Sequence, residues 1–197
     1  MTLKEFITQF DTENSIVLLE GKRNVLEADK EKLTVLGKLL ASKSIRMTFR
    51  SGNAEGSDQL FSDGVTAVDH KRLQVITPYS GHRQKTNQAY ETISLEDINI
   101  ASEPEVVFQS KGNKKTEKLI DQFVSGKKNR YTINAAYIIR DTIKAIGTDT
   151  IKPATFGIFY DDLEDPMTGG TGHTMNVCKQ NNIPIINQKI WFKWLTA

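Results

Sequence analysis

The sequence contains a single cysteine among its 197 residues, so the chain cannot form an internal disulfide. Such a composition is typical of proteins in a reducing compartment. No stretch approaches the ~20 apolar residues that a membrane-spanning helix requires. The segment MTLKEFITQFDTENS also lacks the basic, apolar and small-residue regions of a secretion signal. We therefore expect a cytoplasmic protein with no membrane partner.

A strong excess of charge of one sign is also missing. Lys and Arg number 26 against 24 for Asp and Glu, which gives a formal net charge of +2. This balance does not favour a duplex-binding protein. Two local basic clusters, SKGNKKTEK (110–118) and SGKKNRY (125–131), could contact nucleic acid, but solvated surface is the simpler interpretation. Nucleic acid remains an open but disfavoured partner.

Cysteine and histidine do not occur with the spacing of a metal site, and we expect neither a metal nor a cofactor. Cys178 lies at an apolar-flanked position in a predicted helix, where a small core residue is favoured over a nucleophile. Trp191 and Trp194 have helical spacing and are expected to pack against the body of the protein.

Apolar runs alternate with amphipathic helical patterns along most of the chain. Alternation of this kind predicts an α/β fold, here a Rossmann-like three-layer sandwich with a mostly parallel central sheet. We expect a single domain over 1–197, with an elaborated insertion at about 80–130 where the periodicity is weak. The predicted strands are 15–21, 45–52, 72–79, 154–162 and 183–187, and the main helices are 24–42, 53–68, 132–147 and 171–181, with Gly147 as a C-terminal cap.

Four predicted strands end in segments rich in glycine and polar side chains. These segments are EGKRN (20–24), RSGNAEGSD (50–58), TPYSGHR (77–83) and YDDLEDPMTGGTGHT (160–174). In an open parallel sheet, ligands bind in the crevice beyond the carboxyl ends of the strands. Four loops that are distant in sequence should therefore meet at one edge and form a pocket.

The loop after the second strand allows two interpretations. Gly52, Asn53 and Gly56 precede a helix, and exposed backbone N–H groups there could hold a phosphate. Alternatively, the segment is a turn in which Ser57 or Asp58 caps the helix. Because the Asp58 carboxylate would repel a phosphate, a sugar hydroxyl is its more natural partner.

The glycine-rich stretch MTGGTGHT also has two interpretations. Gly169, Gly170 and Gly172 lack side chains that would block a ligand from the backbone, and Thr171 and Thr174 supply hydroxyls beside a helix N-terminus. These features favour a phosphate-binding loop over a connecting turn.

Cations and aromatic residues occur at the other strand ends. Lys22 and Arg23 could neutralise a phosphate, or they could be ordinary exposed charges. Tyr79 could stack on a base beside His82 and Arg83, although a surface loop is the favoured interpretation.

Two residues are candidates for catalysis. Asp161, with the neighbouring Asp162, could do acid–base work or bind sugar hydroxyls, and solvated loop carboxylates are the alternative. His173 could donate a proton or contact a phosphate, but a lone histidine more often has a structural role.

These motifs resemble the SLOG superfamily of Rossmann-like proteins, over most of the chain except about 80–130. LLEGKRN is similar to the family's first strand, with Gly21 and Lys22 as its glycine and basic residue. FRSGNAEGSDQLFSDGV resembles the second strand and its glycine-rich turn, and MTGGTGHTMNVCKQNNIPII resembles the last motif. The superfamily includes phosphoribohydrolases, a DNA-processing protein that binds single strands, and nucleotide-sensing modules. Its members often self-associate, which implies a possible homodimer.

The last motif departs from the hydrolase branch of that superfamily. The branch carries a glutamate on the helix that follows its glycine-rich turn, and MTGGTGHTMNVCKQ has none. The resemblance therefore implies a protein that binds a nucleotide or a nucleotide-derived ligand. The alternative is an N-glycosidic hydrolase of the phosphoribohydrolase type with an altered catalytic loop, so whether the protein is an enzyme stays open.

Overall fold

The computed structural model describes residues 1–127 and 129–196, and a six-stranded sheet lies at the centre of this part of the chain. The strands are β1 (Ile16–Gly21), β2 (Thr48–Ser51), β3 (Leu73–Thr77), β4 (Glu91–Ser94), β5 (Phe156–Tyr160) and β6 (Ile185–Asn187). Their order is β4-β3-β2-β1-β5-β6, and every pairing is parallel. The α/β Rossmann-like fold is thus confirmed.

Helices cover both faces of the sheet. In chain order they are α1 (Leu3–Phe10), α2 (Glu27–Lys43), α3 (Ser57–Asp69), α4 (Pro104–Ser110), α5 (Lys114–Val124), α6 (Ile133–Ile146), α7 (Gly169–Gln180) and α8 (Gln188–Trp191). Successive side chains of a strand point to opposite faces. Val17 and Leu19 accordingly pack into the core under α1, α2 and α3, whereas Leu18 packs against α6 and α7.

Helices α2 and α3 approach each other unusually closely through two glycines. A Cβ atom on Gly37 would overlap the carbonyl oxygen of Phe61, and one on Gly64 would overlap that of Thr34. Neither residue needs an unusual backbone angle, so the requirement for glycine here is one of space. This contact fixes the position of α3 and of the loop that leads into it.

The strand order creates a switch point between β1 and β5. The chain builds β1 to β4 in one direction, and α4, α5 and α6 then carry it back so that β5 pairs with the other side of β1. The segment predicted as an insertion is thus the fourth strand and the start of this crossover. Ligands of open parallel sheets bind at such a point, beyond the carboxyl ends of the strands.

Three predictions about individual positions are confirmed by the structure. Trp191 and Trp194 are buried in the core beneath α2 and α3, and Trp194 stacks on Phe6. Cys178 is fully buried, and burial raises the pKa of its thiol to about 12. Gly147 caps α6 with φ 72°. No helix in the described ranges has both the length and the apolar character needed to cross a membrane.

Candidate functional site

A cleft of about 620 Å³ opens at the switch point between β1 and β5. Its walls are residues 20–23 at the end of β1, Ala54 and Asp58 before and within α3, one face of α6 from Asn134 to Lys144, and residues 168–171 at the start of α7. Residues from the ends of the two central strands, β1 and β2, and from three helices, α3, α6 and α7, therefore meet there. We call this space the main cleft.

The N-terminus of α7 faces the main cleft without a side-chain cap. The first N–H groups of a helix lack partners within the helix. Thr168 is the N-cap residue but accepts no hydrogen bond through its side chain, and the first turn contains no acidic residue. Gly169 has φ 61°, and a Cβ atom on Gly170 would lie 3.1 Å from Asp141 Oδ2. The exposed N–H groups and the helix dipole make this end of α7 attractive to an anion.

The floor of the main cleft is a buried network of charges. Lys144 Nζ lies 2.8 Å from Glu20 Oε2 and 2.8 Å from Asp141 Oδ1, and Arg140 Nη2 lies 2.9 Å from the same Asp141 oxygen. Each of these side chains is less than 10% exposed. Arg140 also donates to the carbonyl oxygen of Gly52. The network thus links the end of β1, the loop after β2 and α6.

The two acids of this network have opposite pKa shifts. Burial, with the nearby Asp58 and Asp141 carboxylates, raises the pKa of Glu20 to about 7 in spite of Lys144. Burial would also raise the pKa of Asp141, but Arg140 and Lys144 outweigh it and lower that pKa. Asp141 is therefore ionised at neutral pH, whereas Glu20 keeps its proton to a much higher pH than an ordinary glutamate.

Replacing Glu20 by Gln should change how stability depends on pH. The folded-state pKa of about 7 exceeds the ordinary value of 4.5, so the native protein holds this proton more tightly than the unfolded chain. The contribution of Glu20 to stability is therefore fully present below about 4.5 and is lost as the pH rises to about 7. We therefore compare the free energy of unfolding of Glu20→Gln with that of the wild type as the pH rises from 4.5 to 7. At ~1.4 kcal/mol per pKa unit, the difference should shift in favour of the variant by up to about 3 kcal/mol across this window.

Urea unfolding at a series of pH values from 4.5 to 8 measures this gain. Glu31→Gln, at an exposed position of α2, is the matched control and should show no gain. A difference between Glu20→Gln and wild type that stays constant with pH would contradict the assignment.

Seven of the predicted ligand-binding residues line the main cleft: Gly21, Lys22, Arg23, Asp58, Gly169, Gly170 and Thr171. Arg23 is exposed, and Lys22 Nζ lies 2.9 Å from Asp162 Oδ2. Asp58 borders the cleft but is mostly engaged with the backbone. Its Oδ1 accepts from the N–H of Gly21, and its Oδ2 accepts from those of Gly52 and Ala54. It fastens two loops together and does not cap α3.

Six of the other predicted residues do not line the main cleft and pack behind the residues that do. Gly52 packs against Arg140, and Gly56, with φ 79°, packs against the backbone of Arg23. The Asn53 amide donates to the His82 carbonyl, and the Ser57 hydroxyl donates to the Lys22 carbonyl.

The last two of these six residues, Gly172 and Thr174, belong to α7. Gly172 presses against the Met167 backbone, and the Thr174 hydroxyl donates to the Gly170 carbonyl. These six residues therefore shape the loops around the main cleft, and their contact with a ligand stays a prediction.

The two predicted catalytic candidates lie apart from each other. The buried Asp161 carboxylate accepts a hydrogen bond from the N–H of Met167 at 3.0 Å, which holds the loop before α7. His173 borders a second cleft and pairs through Nε2 with Thr142 Oγ1 at 2.9 Å, and burial lowers the pKa of its ring. The described residues contain no cluster of three or more His, Cys, Asp or Glu side chains that could hold a metal ion.

Four charged residues of the floor and one aromatic residue were not predicted: Glu20, Arg140, Asp141, Lys144 and Tyr137. The sequence did contain a signal for the four charged residues, because each of them lies in or next to an apolar segment. Glu20 follows the buried run IVLL, and Arg140, Asp141 and Lys144 interrupt the apolar helix INAAYIIRDTIKAI. A charge in such a position must be paired when the element is buried.

An aromatic cluster lies beside the main cleft. The rings of Tyr79 and Tyr137 each meet the His82 ring edge-on, with centroids 5.0 and 5.7 Å away. Tyr137 faces the main cleft, whereas Tyr79 lines a separate cavity. His82 is largely buried, and burial together with the neighbouring arginines lowers the pKa of its ring to about 4. A base stacked on Tyr79 would thus lie outside the main cleft.

Comparison with known proteins gives one structural likeness. No protein-family model matches the sequence, and the search of curated proteins found no significant match. A solved structure of DNA processing protein A from Helicobacter pylori, reported with a unique single-stranded DNA binding mode, has a TM-score of 0.55 and 14% identity. The alignment covers 91% of this chain and 67% of that one. At this identity the likeness shows the Rossmann-like fold, while the SLOG membership and the homodimer stay predictions.

Proposed function

We propose that the protein binds a nucleotide, or a nucleotide-derived ligand, through a phosphate held in the main cleft. The observation that carries the proposal is the convergence of an uncapped α7 N-terminus with the cations Lys22, Arg23 and Arg140 at the switch point of the sheet. Arg140 is 5% exposed, and its Nε atom has no hydrogen-bond partner among the described residues. A buried unsatisfied donor beside an open helix N-terminus suits an anionic ligand.

Arg23 is the cation best placed to gain a ligand. It is exposed and lines the cleft, and none of the ion pairs between described residues includes it. Lys22 is already paired with Asp162. A guanidinium can bind a phosphate with two parallel hydrogen bonds. We therefore assign to Arg23 the phosphate oxygens that face solvent, and to the N–H groups of α7 the phosphate oxygens that face the helix.

The wall formed by α6 suits the nucleoside. Tyr137 and Ile138 give this wall an aromatic and an apolar surface, and Asn134 is an exposed amide one turn away. Arg140 lies over the Tyr137 ring, with its Cζ atom 5.5 Å from the ring centroid. Aromatic rings bind bases by stacking. The ligand would then lie with its phosphate at α7 and its base on α6.

The geometry favours binding over N-glycosidic hydrolysis. Each carboxylate that lines the main cleft is buried and has a partner: Glu20 and Asp141 pair with Lys144, and Asp58 accepts from loop N–H groups. The Oε1 atom of Glu20 has no hydrogen-bond partner among the described residues, but the residue is only 3% exposed and its other oxygen is paired with Lys144. A general acid has to come within hydrogen-bond distance of its substrate, so we do not propose a catalytic carboxylate.

Thermal denaturation with a panel of nucleoside mono-, di- and triphosphates tests the proposal. A ligand that binds the native state raises the melting temperature in proportion to ln(1 + [L]/Kd). At least one nucleotide should raise it, and Arg23→Ala should weaken binding about 10- to 100-fold, as expected for a charge-assisted contact of ~1.5–3 kcal/mol.

Arg46→Ala is the matched control for this experiment. Arg46 is also exposed, but it precedes β2 and therefore lies at the opposite end of the strands from the main cleft, near Glu13. It should leave nucleotide affinity unchanged. If no nucleotide at millimolar concentration moved the melting temperature, the proposal would be wrong.

A single strand of nucleic acid is a second candidate ligand. The structural likeness to a protein reported with a single-stranded DNA binding mode favours it over the duplex. The described members of the two basic clusters lie in and around α5, whereas Lys128 of the second cluster lies outside the described residues. Strand binding predicts an affinity that falls steeply with salt. Fluorescence anisotropy of a labelled oligonucleotide at 50 and 200 mM salt checks this, and an absent or salt-insensitive signal would exclude it.

A further inference from the structure

A second cleft of about 350 Å³ lies on the other side of the α7 N-terminus. It is bounded by α7 and by the turn between α4 and α5. Thr168 and Gly169 line this second cleft and also the main cleft. The backbone that would bind the phosphate is therefore a wall shared by two cavities, and a ligand can extend from it in both directions.

The second cleft differs from the main cleft in its chemistry. None of the described residues that line it is Asp, Glu, Lys or Arg. Four of them carry side-chain amides: Gln109, Asn113, Asn176 and Gln180. An amide presents both hydrogen-bond donors and an acceptor. The second cleft therefore suits an uncharged group with a mixed pattern of donors and acceptors.

These amides differ in how freely they can bind. Gln109 is oriented by Glu105 and Asn181, to which its amide nitrogen donates. Asn176 and Gln180 are exposed, one turn apart on α7, and no side-chain hydrogen bond engages either of them within the described part of the chain. Two free amides thus stand beside an oriented one.

Apolar side chains complete the second cleft. Met167 and Val177 line it together with the amides. A nucleobase has two apolar faces and an edge of donors and acceptors, and Asn and Gln can pair with the edge of adenine through two hydrogen bonds. A phosphate would find no cation among the lining residues, so the neutral part of a nucleotide fits better.

We propose that the second cleft is a nucleobase subsite, so that the ligand contains at least two nucleosides joined through the phosphate at the α7 N-terminus. The inference rests on the proposed function, because the phosphate position is shared. It adds the length of the ligand: one nucleoside lies against Tyr137 in the main cleft, and the next base lies between Met167 and the amides of α7. The unpartnered Nε of buried Arg140 marks the phosphate side of this arrangement.

Isothermal titration with four 5′-phosphorylated homodinucleotides, pdApdA, pdCpdC, pdGpdG and pdTpdT, and their four mononucleotides tests this inference. At least one dinucleotide should bind roughly tenfold more tightly than its mononucleotide, the gain expected from one recognised base. In the double variant Asn176→Ala/Gln180→Ala this gain should disappear, while mononucleotide affinity stays unchanged. Gln9→Ala, at an exposed amide on α1, is the control and should keep the gain.

The possible results separate the two proposals. If mononucleotides bind and no dinucleotide binds more tightly, the subsite is wrong and the proposed function stands. A dinucleotide gain that persists in the double variant also overturns the subsite, because the second base would then lie elsewhere. If neither mononucleotides nor dinucleotides bind, the proposed function fails and the subsite fails with it.

Discussion

Replacing Lys144 by Met should lower the free energy of unfolding by about 3–5 kcal/mol, the usual cost of removing one partner from a buried ion pair. Lys144 is 2% exposed and lies 2.8 Å from both Glu20 and Asp141. Met retains most of the length and volume of the side chain, so the loss reports on charge and not on a cavity. Asp141 keeps Arg140 as a partner, whereas Glu20 can only respond by taking up a proton. The loss should therefore be greater at pH 8 than at pH 5.5.

Urea unfolding measures this loss, and two further variants make it specific. Lys30→Met removes an ion pair with Glu27 in which both side chains are exposed, by 48% and 86%. This control should cost less than about 1 kcal/mol, as exposed pairs do. The double variant Glu20→Gln/Lys144→Met should recover part of the loss, since the carboxylate left without a partner is gone. Equal losses for Lys144→Met and Lys30→Met would show that the buried network does not stabilise the fold.

Replacing Thr171 by Asp should separate stability from ligand binding. Thr171 occupies the first turn of α7, where a carboxylate stabilises the helix by about 0.3–1 kcal/mol through the helix dipole. The same carboxylate would repel a phosphate at the α7 N-terminus. Two charges 4 Å apart near a protein surface interact by about 4 kcal/mol before screening by salt. We expect nucleotide affinity to fall about a hundredfold or more while the melting temperature stays constant or rises.

Titration calorimetry and thermal denaturation of the same preparation measure both effects. Thr171→Asn is the control, because asparagine has the shape of aspartate without its charge. It should bind nucleotides nearly as well as the wild type. If the Asp and Asn variants bound equally well, the phosphate would not lie at the start of α7.

Most of the sheet could be predicted because its strands are short apolar runs buried on both faces. The run IVLL of β1 and the run FGIFY of β5 are of this kind. Strand β4 was missed because it is an edge strand with the sequence ETIS, in which Ile93 alone is apolar. A strand with few buried side chains has no clear apolar pattern in its sequence. Strand β4 pairs with β3 through backbone hydrogen bonds, which the identity of the side chains does not indicate.

The location of the candidate site could be predicted better than its composition. The topology of a parallel sheet brings loop ends to one edge whatever their sequences, so the glycine-rich segments marked the correct region. Which glycines face the main cleft, and which pack against other parts of the protein, could not be predicted. Gly52 faces Arg140, which is 88 residues away, whereas Gly169 faces the cleft. The partners of Glu20 depend on the register between β1 and α6, which local patterns do not contain.

The two walls of the main cleft differ in their freedom to move. Arg140 and Lys144 share α6 with Ile139 and Ile143, which are fully buried, so this helix cannot shift without repacking a close-packed interior. The opposite wall begins with exposed residues 163–166, in a loop fastened near its end by the Asp161–Met167 hydrogen bond. A ligand in the main cleft would therefore lie between a firmly packed helix, α6, and the N-terminus of α7, which follows this exposed loop. Because the Asp161–Met167 hydrogen bond holds the loop that leads into α7, we expect substitutions at Asp161 to disturb the phosphate-binding end of the main cleft and to leave α6 in place.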